Sequence, residues 1–191
     1  MELIVALGMF LLVGSVLTFN YPELSNRSSV DSLVHEVALA LRETQVYGSS
    51  VKETGQGTGV FPGYGVYFST ADLKAYDVFN DTNPVDAKYS GSGSGELRAT
   101  TRINSGEGIS NICGNLKRDG LSAGAPGSFC SSNGSLTGLH ISFVRPNPDA
   151  SITATGGVET ALSDAEIAFT SKRGDITKTI VVYPTGQIEI E

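Results

Sequence analysis

The sequence has no Trp, two His and two Cys, and these shortages exclude a good deal. His35 and His140 are the whole histidine complement, and no third group is placed beside either by motif, so no Ser-His-Asp type triad can be argued. Both are expected to be solvated or cap-like. His35 stands next to the apolar face of a helix, and His140 alternates out of a strand whose Leu139, Ile141 and Phe143 point the other way. A zinc site needs more Cys or His in register than surround Cys113 and Cys130. Basic side chains are scarce as well. Thirteen Lys and Arg against 20 Asp and Glu leave a net charge of -7. That balance gives no general attraction for nucleic acid or an anionic bilayer. GQGTG at 55–59 and GSGSG at 91–95 are Gly-rich, but neither follows a strand and opens a helix, as a phosphate cradle must. No cofactor is implied, and an enzyme is not expected.

Charge is absent from a long stretch. Leu3 to Phe19 carries none, and only Gly8, Gly14, Ser15 and Thr18 interrupt the apolar side chains. One carboxylate, Glu2, heads the run, and the first basic residue is Arg27. An ionised side chain in hydrocarbon costs several kcal/mol, so Glu2 needs a partner. The natural candidate is an amino terminus, its own or that of a neighbouring copy. At about 1.5 Å per residue the run covers roughly 26 Å, near the lower limit for a bilayer core of about 30 Å. A secretory signal peptide is one alternative, but there is no basic region before the run and no clear small-x-small site after it. A core helix is another, but an unbroken apolar surface at one terminus rarely belongs to a core. Residues 1–21 are therefore read as a transmembrane or filament-core helix.

Met1-Glu2-Leu3-Ile4-Val5-Ala6-Leu7 and the apolar helix after it resemble the N-terminal signature of type IV pilins and type II secretion pseudopilins. In that family a short leader ends in Gly, a peptidase cuts after it, the new first residue is methylated, and a Glu stands fifth in the mature chain. Glu2 matches that Glu, and Leu3 to Leu7 match the apolar residues behind it. The leader, its Gly and the Phe-Thr-Leu-like start are absent, and Met1 holds the place before the Glu. The Y-P-T-G-Q-I-E-I ending and the G-Y-G-V-Y-F stretch look most like minor pseudopilins of the H type. The resemblance implies a subunit anchored in the inner membrane and drawn by pilus or secretion machinery into a helical homo-oligomeric filament at the cell surface. Glu2 would meet the amino terminus of the adjacent subunit, and Gly8 and Gly14 would allow close approach. A minor pseudopilin of a secretion system and a monomeric membrane-anchored binding domain are the alternatives.

The rest of the chain reads as an α+β, pilin-like layout. Residues 20–26, NYPELSN, predict a break, because Pro22 has no amide hydrogen and disfavours helix at Tyr21. Ser28 and Asp31 approximate a capping box. Val30, Leu33, Val34, Val37, Ala38 and Leu41 then fall on one face of an amphipathic helix over 28–50, with Gly48 near its end. The remainder, 51–191, reads as a β-rich head. Strands are expected at 64–68, 74–79, 96–103, 139–144, 150–154, 165–170, 176–183 and 187–190, with turns at 173–175 and 184–186. Residues 104–137 read as a Gly/Ser/Asn-rich surface excursion with weak pairing near 109–112. In an exported domain its two cysteines, Cys113 and Cys130, read as one disulfide. Asp149, Asp164 and Asp175 fall in turns, where turn chemistry explains them without calcium. Asn26, Asn80 and Asn133 begin triplets of the glycosylation pattern.

Overall fold

The computed structural model describes residues 2–50, 62–82, 86–103, 106–116, 128–156 and 160–191, with the side chains of 16–24, 128, 160 and 161 outside that description. One long helix, α1, runs Glu2–Ser49. The strands after it are β1 (Gly63–Ser69), β2 (Ala75–Asp81), β3 (Leu97–Arg102), β4 (Gly108–Asn115), β5 (Ser128–Cys130), β6 (Gly138–Phe143), β7 (Ala150–Thr155), β8 (Thr160–Ala161), β9 (Asp164–Thr170), β10 (Thr177–Val182) and β11 (Ile188–Ile190). They form two antiparallel sheets. The larger has the order β3-β2-β1-β6-β7-β8, and the smaller β11-β10-β9-β4-β5.

Period and burial agree along the central strands. In β1, Tyr64, Val66 and Phe68 are buried on one face; in β9, Ala165, Ile167 and Phe169 are. The six apolar positions of α1 from Val30 to Leu41 are all buried. They close one core with Ile141 and Phe143 of the larger sheet and Ile180 and Val182 of the smaller. This half of α1 touches β1 and β6 on one side and β9, β10 and β11 on the other, so it is the element both sheets share.

The pilin-like arrangement of a long helix, broken at Pro22 and packed on a β-sheet head, is corrected here. Antiparallel sheet dominates the described chain, and it is divided between two sheets. The α1 backbone is helical through Pro22. A proline ring removes one hydrogen bond and crowds one carbonyl, which the helical turns on either side can outweigh. Of the expected surface excursion at 104–137, residues 104–105 and 117–127 lie outside the described residues. Within it β4 is an inner strand of the smaller sheet, paired with β9 and β5.

Candidate assembly surface

The first turns of α1 present apolar side chains in every direction. Leu3, Ile4, Val5, Leu7, Met9, Phe10, Leu11, Leu12 and Val13 are all exposed, with Phe10 at 84% and Leu3 at 79%. Such a surface exceeds what monomeric soluble proteins normally leave uncovered. Glu2 is exposed at its head; Met1 lies outside the described residues. Among the described residues a Cβ built at Gly8 or Gly14 meets nothing within 4 Å, so both offer a smooth patch of helix. Pro22 lies in the same helix, and its side chain is outside the described residues.

The expected transmembrane helix is not found. Among the described residues no helix is long and apolar enough to cross a membrane.

The other half of α1 is clamped to the head. Gln45 Nε2 donates to the carbonyls of Gly186 (2.9 Å) and Pro148 (3.2 Å), tying the helix to the β10–β11 turn. That turn closes with the Gly186 amide donating to the Tyr183 carbonyl, and Gly186 holds a φ of 80°. Lys178 of β10 pairs with Asp31 at 3.6 Å. Tyr47 meets Tyr64 edge-on, ring centroids 5.7 Å apart. At Gly48 the helix backbone comes so near β6 that an added Cβ would stand 2.3 Å from the Phe143 carbonyl oxygen. Gly48 therefore serves close approach as well as standing near the helix end. Sequence periodicity shows neither the Gln45 clamp nor this contact, since both depend on partners distant in the chain.

The polar groups inside the head are engaged with one another. His140, expected in solvent, is buried in β6. Its Nδ1 accepts from the Tyr89 amide at 3.0 Å, and its ring lies on Tyr67, centroids 4.6 Å apart. His35 is exposed, and its Nδ1 donates to the Asp31 carbonyl at 2.7 Å. Asp81 is buried and accepts from the amides of Asp86 (3.2 Å) and Ala87 (2.7 Å). Burial pushes its carboxyl above the ordinary range, and those two amides oppose the shift. Buried Glu96 accepts from the Ser90 amide at 2.7 Å. These groups strap residues 86–96 across the outer face of the larger sheet.

A second polar cluster lies on the smaller sheet. Asp164 opens β9 rather than sitting in a turn, and the Asn115 side-chain amide donates to both Asp164 and Glu166. Burial raises the pKa of both carboxyls; Asn115 opposes this in each case, and Asp164 adds to it at Glu166. Asp175 accepts from the Ser171 hydroxyl, and this bond leads in holding its pKa below the ordinary value. Among the described residues no group of three His, Cys, Asp or Glu side chains could hold a metal ion. Of the glycosylation triplets, Asn80 is buried in β2, while Asn133 is exposed in the short 3-10 turn after β5. The pairing of Cys113 with Cys130 is as expected, one disulfide. Comparison with protein-family models, curated proteins and solved structures finds no match for this chain.

Proposed function

We propose that the chain is a structural subunit of a type IV pilus-like filament, assembled by lateral bundling of its N-terminal helices. The observation that carries this reading is the all-round exposure of apolar side chains from Leu3 to Val13. A helix with one apolar stripe needs one neighbour. A helix apolar on every side needs several, or lipid. Each large apolar side chain taken from water contributes about 1.5–3 kcal/mol, and identical helices supply a matching surface in register. The head then projects outward, held to its stem by the Gln45 clamp. Lipid is the other medium that covers such a surface, so a membrane-tethered surface domain is the second reading.

The test is assembly of the full chain on removal from non-ionic detergent, followed by electron microscopy and sedimentation. Filaments are expected from the natural sequence, and Phe10→Asp should abolish them while leaving the circular dichroism of the head unchanged. A monodisperse single chain in detergent-free buffer, or undiminished filaments from Phe10→Asp, defeats the proposal. Stable recovery with lipid vesicles and no filaments under any condition favours the tethered domain instead.

A further inference from the structure

The core face of the larger sheet extends past α1. On the side of β2 and β3, helix and sheet diverge and leave an open cavity of about 480 Å³. Two carboxylates of α1, Glu36 and Glu43, stand on its helical wall, and Tyr47, Tyr64 and Tyr76 line it, with Arg98 of β3 on the opposite side. Glu36 and Glu43 are seven residues apart, which places both on one side of a helix. Their charge is felt inside. Burial raises the Tyr76 pKa first; a hydrogen bond to Thr101 offsets this, and Glu36 and Glu43 push it further up. Tyr64 is 1% exposed, and its hydroxyl is buried with no hydrogen-bond partner among the described residues.

Three further properties say what fits here. Among the described residues β3 ends the sheet order, so its outer edge offers backbone donors and acceptors to another strand. Leu39, 67% exposed, adds an apolar contact on the helical wall. Two carboxylates against one guanidinium leave the walls net negative, and tyrosine faces attract cations.

We propose that this cavity binds an extended polypeptide segment that pairs with the open edge of β3 and places a Lys or Arg side chain between Glu36, Glu43 and the tyrosines. Main-chain pairing supplies the affinity, and the cationic side chain supplies the selection. The site is separate from the exposed apolar turns of α1 and does not depend on what covers them.

The experiment is calorimetric titration of the full chain in non-ionic detergent with a short blocked peptide alternating Lys and Thr around a central Leu. The same peptide with every Lys acetylated is the first control, and butylamine is the second. Binding of the Lys peptide is expected, with affinity lowered about tenfold in Glu36→Gln/Glu43→Gln. A charge-matched variant of the smaller sheet, Glu189→Gln/Glu191→Gln, should stay within about twofold of the natural chain. No binding of the Lys peptide overturns the proposal. So does an equal loss in both double variants, which means diffuse electrostatics. Equal binding of the acetylated peptide removes the cationic element, and butylamine binding as tightly as the peptide removes the strand; each also refutes the site as proposed.

Discussion

Cys113 and Cys130 stand directly opposite each other on neighbouring antiparallel strands, their Cα atoms 4.1 Å apart and their sulfurs bonded. That separation fits the non-hydrogen-bonded pair of an antiparallel ladder, where side chains lie closest. In keeping with this, the Cys130 amide donates to the side chains of Asn133 and Ser135 and not across the ladder. β5 is three residues long and lies at a sheet edge, so the bridge fastens a strand with little pairing of its own. Replacing both cysteines with Ser should cost about 3 kcal/mol in the chain-entropy account of a loop this size. Urea unfolding reads the loss, and amide exchange should rise first at Phe129 and Cys130. Unchanged stability and exchange would mean that the strand pairing holds β5 unaided.

Gly48 makes a second, independent prediction. A methyl group there runs into the Phe143 main chain, which cannot swing aside as a flexible side chain can. Gly48→Ala should lower stability by about 1–3 kcal/mol through overpacking, despite the gain in helix propensity. Gly14→Ala is the matched control, since among the described residues nothing lies within reach of its added methyl. The thermal midpoint of the head should fall for the first variant and not for the second. Equal midpoints would mean that helix and β6 can separate without loss.

The carboxyls of Asp164 and Glu166 set a pH dependence of unusual sign. Both have folded pKa values raised, by burial first. Folding therefore favours their protonated forms. Their contribution to stability is full below the unfolded values, near 3.8 and 4.5, and is lost as pH rises through the higher folded values. Asp164→Asn/Glu166→Gln should remove this fall, so that the variant gains on the natural chain as pH rises from about 4 toward neutrality. Urea midpoints over that range decide it. Parallel curves for the two proteins would show that the raised values have no bearing on folding.

Where the sequence was readable, one period ran unbroken. Val30 to Leu41 repeats at helical spacing, and each of those residues faces the core. β4 was obscured because its ladder with β9 shifts register between Ile109 and Asn111. The bulge turns Ile109 and Ile112, three residues apart, to the same interior. Alternation alone then makes a central strand look like weak pairing. His140 was misplaced for another reason. Its strand face is the outer one, as alternation says, but residues 86–96 fold back over it through the Tyr89 and Ser142 hydrogen bonds. Pro22 locally disfavours helix at Tyr21, yet the backbone stays helical on both sides of it. The apolar turns at Leu3–Val13 are visible in the sequence as composition, and in the structure they are exposed.

Glu2 gives the sharpest test of the proposed filament. Bundling the helices as proposed would remove its carboxylate from water, and a buried charge left without a partner costs about 3–5 kcal/mol. If the amino terminus of a neighbouring copy supplies that partner, the two charges must be removable one at a time with the same result. Glu2→Gln leaves the ammonium alone, and acetylating the amine leaves Glu2 alone. Each should raise the concentration needed for filaments about a hundredfold, while the head keeps its thermal midpoint. Combining the two changes should recover part of the loss, because neither charge is then stranded. Sedimentation of serial dilutions measures all four states. A Glu2→Gln chain that assembles like the natural one would show that the carboxylate stays in water, and would refute its pairing with a neighbour's amino terminus.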